Sequence, residues 1–408
     1  MTLFLSVFFL LYSLMHLYAF LKARAAISFG AGAGLLLALF MIVMIAAPLI
    51  VRMLERAELE APARAAAYIG YTWLGVLFLF SSYSLAIDLY RVVLHTAGSF
   101  SHKDFASVIP SPRGAFFLPL ALSVFTSVYG YFEALNIRTE HVEIRSAKVP
   151  AAIGRLRIVQ ISDVHLGLII RQTRLRRIMA LVKAADPDIF VATGDLVDGD
   201  VYEMDGLSGL LREVNPRFGK FAVTGNHEFF AGIVQAARFI EKSGFTLLRG
   251  EGVRGIINIA GVDDPVGVRL GISKDVDEKV LLSGLPRDRF TLFLKHRPLV
   301  DPKATGLFDL QLSGHVHKGQ IFPFTILTWL YYPVLSGYAD VGNRSPLYVS
   351  RGTGTWGPPI RFLAPPEVTI IDLTYAASAP GQNPPNDKTT SAVKDKPAAA
   401  AVVDRMIY

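Results

Sequence analysis

Four long stretches without a single Asp, Glu, Lys or Arg occupy the first third of the chain and constrain its fold more than any other feature. Each is long enough to cross a hydrocarbon core, which needs about 20 mainly apolar residues. A soluble fold rarely needs several such stretches so close together. We therefore predict a transmembrane region of four helices at 1–135. The stretches cover residues 3–21, 29–51, 65–87 and 114–132.

The composition agrees with a chain that lies partly in lipid. Its mean hydropathy is +0.40, and 18% of its residues are charged, whereas about 25% is usual in soluble proteins. The absence of cysteine excludes disulfides and thiolate ligands, so any metal must be held by nitrogen and oxygen. The net charge is +7, but the basic residues are scattered and no nucleic-acid motif accompanies them. We expect no nucleic-acid partner.

An even number of membrane passes places the N-terminus and everything after the fourth helix on the same side. The first and third loops carry five Lys and Arg residues, and the second loop with the segment after the fourth helix carries six. Such a balance does not decide the orientation by the positive-inside rule. The uncharged N-terminus and the basic first loop favour an external N-terminus, and hence an extracytoplasmic C-terminal domain.

From about Leu156 the pattern changes to short apolar runs separated by polar, Gly-rich turns, which predicts alternating strands and helices. Five of these runs end in Asp, Asn or His. Because sites in open α/β sheets lie beyond the carboxyl ends of the strands, the five loops should bring these side chains into one crevice. The candidates are Asp163, His165, Asp195, Asp198, Asn226, His227, His296, His315 and His317.

These residue types suit a pair of divalent ions. Carboxylates offset the charge and can bridge two metals, imidazoles and an amide oxygen complete the set, and open positions remain for water and substrate. Glycines precede Asp195, Asn226 and His315, where we expect them to let the backbone turn sharply. Any one fragment alone is compatible with an ordinary turn or helix cap. The five together favour a dinuclear metal centre.

The motifs resemble those of the calcineurin-like metallophosphoesterases: D-x-H at 163–165, G-D-x-x-D at 194–198, G-N-H-E at 225–228, a His at 296 and G-H-x-H at 314–317. The resemblance covers about residues 155–373. The chain resembles in particular the membrane-associated bacterial branch of the family, which contains YkuE-like and YaeI-like phosphoesterases. This resemblance implies an integral protein of the bacterial cell membrane. It also implies a two-sheet α/β sandwich flanked by helices.

Three regions follow from these observations. We predict the transmembrane region at 1–135, the α/β metallophosphoesterase domain at 136–375 and a tail at 376–408. The tail is rich in Ala, Pro, Asn, Lys and Asp and has no apolar periodicity. Such a composition predicts disorder.

Carried over by position, the resemblance implies two divalent cations, with Mn, Fe or Zn as the expected metals, and one shared carboxylate, Asp195. His227 would face the scissile phosphorus without binding metal, and Asp198 would orient its ring. The cations would lower the pKa of a bridging water, and the hydroxide would attack in line. The implied ligands of the first metal are Asp163, His165, Asp195 and His317. The implied ligands of the second metal are Asn226, His296, His315 and the shared Asp195.

The expected function is hydrolysis of a phosphomonoester, phosphodiester or pyrophosphate bond, with a lipid-linked or envelope phosphate ester as the expected substrate. The alternative is a catalytically silent membrane receptor or scaffold with the same fold. Loss of a metal ligand or of His227 would be its sequence mark, and neither is missing. The residues do not indicate an oligomeric state.

Four residues near the motifs have open roles. Lys318 stands where the branch usually has the first glycine of G-H-x-H-G-G-Q, and either contact with an anionic substrate or exposure to solvent is compatible with it. The same two interpretations apply to Arg297. The Asp263–Asp264 pair could shape a substrate pocket or form a turn before Pro265.

Overall fold

The computed structural model describes residues 2–199, 205–342 and 345–376. Four long helices form an amino-terminal unit, and each is long and apolar enough to cross a membrane, which confirms the predicted helices. The third is much longer than its charge-free stretch, because Asp88 and the residues after it continue the helix to a left-handed cap at His102. The bounds are α1 Thr2–Ile27, α2 Ala31–Arg56, α3 Glu60–Ser101 and α4 Gly114–Leu135.

The helical unit has a polar cluster inside its apolar packing. The His16 ring is buried; its Nδ1 donates to the Tyr12 carbonyl at 2.8 Å, and its Nε2 accepts from Trp73 Nε1 at 2.9 Å. These partners fix a neutral imidazole, because a carbonyl only accepts and an indole N–H only donates. The short segment Gly357–Phe362 belongs to the same unit.

Within the described residues, the second unit has two six-stranded sheets. The strands are β1 Arg138–Ser146, β2 Arg155–Ile161, β3 Ile189–Thr193, β4 Lys220–Val223, β5 Thr246–Leu247, β6 Glu251–Arg254, β7 Asn258–Gly261, β8 Thr291–Leu294, β9 Leu310–Ser313, β10 Gly337–Asp340, β11 Pro346–Val349 and β12 Glu367–Tyr375. The first sheet has the order β1-β12-β2-β3-β4-β5 and the second β10-β11-β9-β8-β7-β6.

The two sheets pack face to face, and helices cover the first sheet on its other side. Leu156, Val191 and Leu292 lie in the core between the sheets, whereas Leu175 and Ile178 of α5 belong to the core on the helical side. The result confirms the predicted two-sheet α/β sandwich. The helices of this unit are α5 Gln172–Ala184, α6 Asp205–Arg212, α7 Asn226–Ala231, α8 Ile233–Lys242, α9 Pro265–Arg269, α10 Glu278–Ser283 and α11 Phe324–Tyr331.

The central strands are parallel, so their carboxyl ends share one edge. β2, β3 and β4 pair in parallel in the first sheet, and β8 pairs in parallel with β9 in the second. Every residue of β3 is buried, as expected for a strand covered on both faces. Gln160 Nε2 of the first sheet donates to the Ser313 carbonyl of the second at 3.2 Å, so the ends of β2 and β9 lie together.

The first compact unit comprises residues up to Phe132 together with Gly357–Phe362, and the second begins at Glu133; the bounds of the three predicted regions stay predictions. The predicted disordered tail, 376–408, lies outside the described residues except for Ala376.

Candidate metal centre

The first group of donor atoms comes from the loops after β2 and β9. One ligand atom each of Asp163, His165 and His317 lies within 4.8 Å of the others, and all three residues are buried. His165 Nε2 and His317 Nε2 are 3.1 Å apart, and His317 Nε2 is 3.3 Å from Asp163 Oδ1. Two donors at about 2.1 Å from one cation and at right angles to each other are about 3 Å apart. The spacing therefore suits a shared cation.

A second group joins the loops after β3, β8 and β9. Ligand atoms of Asp195, His296 and His315 also lie within 4.8 Å of one another. His296 Nε2 is 3.2 Å from Asp195 Oδ2 and 3.2 Å from His315 Nδ1. Asp195 Oδ2 lies 3.8 Å from His165 Nε2 of the first group. Asp195 thus faces both groups, as a bridging carboxylate would.

The Asn226 side chain and the hydrogen bond of His296 also fit cation binding. Asn226 is buried, and its Oδ1 has no hydrogen-bond partner within the described part of the chain. A buried amide oxygen without a partner is costly, whereas it is an ordinary ligand for a hard cation. His296 Nδ1 lies 2.8 Å from the Thr193 carbonyl, to which it must donate. This bond turns the lone pair of its Nε2 toward Asp195.

His227 lies beside the donor groups, on the α7 side. Its Nδ1 is 2.9 Å from Asp198 Oδ1, and its ring contacts Phe230 and Trp356, each at 5.7 Å between ring centroids. A ligand atom of His227 also falls within 4.8 Å of His165 and Asp195. Proximity alone is therefore compatible with metal binding by His227, and the Asp198 bond sets which ring nitrogen remains for other contacts.

The charges in the cluster shift several pKa values. Burial alone would lower the pKa of His227, but Asp195 and Asp198 outweigh it and raise the pKa to about 9. Burial also opposes the charged form of His296, yet Asp195 raises its pKa to about 10. Burial, reinforced by His227, lowers the pKa of His165 to about 4. The carboxylates therefore favour the protonated rings of His227 and His296 near Asp195, the residue that faces both donor groups.

The backbone is left-handed at five of the seven predicted metal ligands. Left-handed φ angles are costly for residues with a Cβ, on the order of 1–2 kcal/mol each. Such conformations cluster at functional sites, where the surrounding fold imposes them. Here they set the directions of successive ligand side chains in D-x-H and H-x-H. The residues are Asp163 (φ 52°), His165 (53°), Asp195 (50°), His315 (71°) and His317 (47°).

The glycines before the ligands have a different role from the predicted one at two of three positions. Gly194 has a φ of +91°, as a sharp turn requires. Gly225 has an ordinary φ of −101°, and a Cβ there would overlap the Asp195 carboxylate. A Cβ at Gly314 would overlap Ser162 Oγ and the Asp163 carboxylate. At these two positions glycine makes room for a neighbouring ligand.

Glu228 is a site residue to which sequence reasoning assigned no role. It is fully buried, and burial, reinforced by repulsion from Asp195, raises its pKa to about 7. The carboxylate is hydrogen-bonded both to the Asp195 loop and to the start of α7. The G-N-H-E motif includes this residue, but the motif alone does not indicate its partners. Its oxygens accept backbone N–H groups from Asp195, Leu196, Val197 and Gly225 at 2.7–3.2 Å.

Three of the residues whose roles the sequence leaves open, Arg297, Asp263 and Asp264, form contacts within the protein. Arg297 is buried and forms a two-pronged ion pair with Asp264, at 2.7 and 3.1 Å, so the solvated interpretation is wrong, and contact with an anionic substrate stays a hypothesis. Asp264 also caps α9 by accepting from Val266 N, which agrees with the turn interpretation. Asp263 binds Arg249 at 3.0 Å.

Lys318 is half-buried with a left-handed backbone. Burial lowers its pKa, and Arg351 lowers it further. The charges that act on its ammonium, beside Arg351, are those of Glu367, Arg138 and Glu140. Its electrostatic environment is thus dominated by this group near β1, not by the candidate metal ligands.

The calcineurin-like phosphoesterase family model matches residues 156–319. An uncharacterized metallophosphoesterase of Aquifex aeolicus is 39% identical over 62% of this chain and 97% of that protein. The uncharacterized metallophosphoesterase YkuE of Bacillus subtilis is 34% identical over 60% of this chain and 89% of its own length. The chain belongs to the calcineurin-like phosphoesterase family, which confirms the resemblance read from the motifs.

The vertebrate relatives include a transmembrane protein with a metallophosphoesterase domain from Danio rerio, 32% identical over 64% of this chain and 62% of that protein. Together with the four apolar helices, this supports a membrane location. Family membership and the His/Asp clusters support a metal-dependent phosphoesterase.

Proposed function

We propose that the chain is a membrane-anchored phosphoesterase that binds two divalent cations and hydrolyses phosphomonoester, phosphodiester or pyrophosphate bonds. The observation that carries the proposal is the meeting of two three-donor groups at Asp195, with the His227–Asp198 pair beside them. A silent receptor would not need this complete set. The donors are nitrogen and oxygen atoms only, which suits Mn, Fe or Zn.

The proposed ligands of the two cations come from the loops that follow the strands. Asp163, His165 and His317 would hold the first cation, Asn226, His296 and His315 would hold the second, and Asp195 would contribute to both. The hydrogen bond between His296 and Thr193 fixes the ligating nitrogen of that ring. When bound, the cation pair supplies an activated water and offsets charge on the phosphoryl oxygens.

His227 acts on the substrate side of the cations. Because Asp198 accepts from its Nδ1, the Nε2 remains available to donate a proton to the leaving oxygen or to bind a phosphoryl oxygen. The adjacent Asp198 and Asp195 carboxylates favour the protonated ring. The rings of Phe230 and Trp356 restrict its movement.

The test uses the purified full-length chain in detergent. With Mn²⁺ it should hydrolyse an aryl phosphodiester, and EDTA should abolish turnover; equal turnover with EDTA would refute the proposed mechanism. Asp195→Ala should remove both cations, as measured by elemental analysis. His227→Ala should lower turnover with both cations retained, and their loss would instead identify His227 as a ligand.

We further propose that the protein lies in the bacterial cell membrane with its catalytic domain on the extracytoplasmic side, and that it acts on a lipid-linked or envelope phosphate ester. The anchor supports this substrate class because it confines the domain to the bilayer surface. A reporter fused after Tyr408 tests the orientation, and a cytoplasmic signal would overturn it. Release of phosphate from a panel of membrane lipids and nucleotide-linked lipids tests the substrate class.

A further inference from the structure

The helix α11 contains no charged and no buried residue, and only the side with Thr325, Thr328 and Tyr331 is half-buried. Residues 321–335 contain no charged side chain. Leu327 and Leu330 are 58% and 64% exposed, and Phe322 and Ile326 are also exposed. A helix that packs on a protein core normally buries one apolar stripe. α11 therefore needs an apolar environment that its own domain does not supply.

α11 is joined to the candidate metal centre at both ends. At its start, Thr325 Oγ1 donates to the Lys318 carbonyl at 3.0 Å, next to His317. Gly319 packs so closely on the Thr325 backbone that a Cβ at position 319 would overlap it. Beyond its end, the Tyr332 ring lies 5.5 Å from the His315 ring. A partner bound by α11 would therefore lie beside the loop of the two His ligands.

The chain itself indicates which apolar environment this is. Only Asn136 and Ile137 separate α4 from β1, so the start of β1 lies within about 10 Å of the end of an apolar helix long enough to cross a membrane. At eight residues, α11 is about 12 Å long and too short to span a bilayer. Trp329 is exposed and Tyr331 is half-buried, and both are of the residue types that concentrate at the membrane–water interface.

We propose that α11 is an interfacial helix that inserts its Leu and Phe side chains into the surface of the lipid bilayer. It lies in the boundary between headgroups and acyl chains, with its exposed apolar side chains toward the lipid and Trp329 at headgroup depth. Membrane contact then places the His315–His317 loop at headgroup depth. Where the proposed function also holds, the phosphate of a lipid in the bilayer is presented to this loop without the lipid leaving the membrane.

The experiment exploits the absence of cysteine, which allows single labelling sites in the full chain. Nitroxide labels are attached at Leu327→Cys and Leu330→Cys in the protein reconstituted into phosphatidylglycerol–phosphatidylethanolamine vesicles. The matched control is Val280→Cys on α10, which is 71% exposed. Dissolved oxygen concentrates in lipid and a nickel chelate stays in water, so their effects on label relaxation report the environment.

We expect the labels at 327 and 330 to be relaxed mainly by oxygen and the label at 280 mainly by the nickel chelate. Three results would overturn the proposal: relaxation by nickel at 327 and 330 as at 280, dipolar broadening that reveals a second copy on α11, or protection from both relaxants, which indicates a protein partner. None of these readouts depends on catalysis, so failure here is separate from failure of the proposed function.

An activity arm tests the consequence for substrate. Leu327→Glu combined with Leu330→Glu should leave turnover of a soluble aryl phosphodiester within about twofold, because neither side chain belongs to the metal centre. The same variant should lower turnover of an acyl-chain aryl phosphodiester embedded in vesicles by about tenfold or more, given the transfer free energy of two leucines. Val280→Glu should change neither rate, and equal losses on both substrates would contradict the membrane role.

Discussion

Glu228→Gln is the substitution that most directly tests how the site is organised. In the native chain the carboxylate accepts four backbone N–H groups, two on each oxygen. Glutamine keeps one accepting oxygen and turns an NH₂ group toward the other two N–H donors. Hydrogen bonds to a charged acceptor contribute about 1.5–3 kcal/mol each. Loss of two should therefore cost about 3–6 kcal/mol.

Part of this cost is offset because the surroundings of Glu228 disfavour its ionised form. Burial and the Asp195 charge raise the pKa of Glu228 to about 7, so removing the charge relieves a repulsion. A pKa raised from 4.5 to about 7 disfavours the charged form by about 3 kcal/mol, so we expect a net loss of about 0–3 kcal/mol in the free energy of unfolding of the phosphoesterase domain. For a domain of this size the loss corresponds to a fall of up to roughly 10 °C in Tm.

The assay is thermal unfolding of the full-length protein in detergent, followed by circular dichroism, with metal content measured on the same samples. The matched control is Glu213→Gln, which breaks an exposed ion pair with Lys183 and should change the free energy by less than about 1 kcal/mol. Because Glu228 holds the Asp195 loop, its variant should also bind less metal. A Tm within about 2 °C of the control, with both cations retained, would refute the reasoning.

Three further predictions follow from the site. Asp198→Asn should lower kcat about 10- to 100-fold with metal content unchanged, and adding it to His227→Ala should reduce kcat no further, since the pair acts as a unit. Gly314→Ala should displace the Asp163 carboxylate and lower metal content, whereas Gly206→Ala, whose Cβ would meet nothing within 4 Å, should not. Asp195 raises the pKa of His296 to about 10, so this ring carries a proton at pH 7.5 before metal binds. A histidine that binds a metal must be neutral, and Mn²⁺ binding at pH 7.5 should therefore release protons. Calorimetry in buffers of different ionisation enthalpy counts these protons, and a buffer-independent heat would contradict the assignment.

The strand-end positions of the candidate ligands could be predicted because two independent signals coincide there. Short apolar runs mark the strands, and Asp, Asn and His follow immediately, so the geometry of parallel sheets brings them to one edge. The same logic identified the four apolar helices from charge-free length alone. It placed the end of α3 too early, because a charged residue such as Asp88 marks the end of an apolar stretch and not the end of a helix.

Contacts between distant parts of the chain could not be predicted. The Arg297–Asp264 ion pair depends on the pairing of β7 with β8, which brings the loops after these two strands side by side and which no local pattern encodes. Glu228 stood inside a recognised motif, yet three of its four backbone partners belong to another loop, at Asp195, Leu196 and Val197. The glycines at 225 and 314 were identified correctly as special, but for the wrong reason, since the space they leave is filled by ligands from other strands.

The length of α3 has a consequence for the opposite face of the membrane. Its 42 residues measure about 63 Å, against about 30 Å for a hydrocarbon core. Residues 88–101 alone add about 21 Å beyond the charge-free stretch. If all four helices cross the bilayer, as we propose, this end of α3 would emerge on the side away from the chain's amino end. Residues 88–101 would then form a helical extension on that side, and a protease supplied there would have access to the chain near His102.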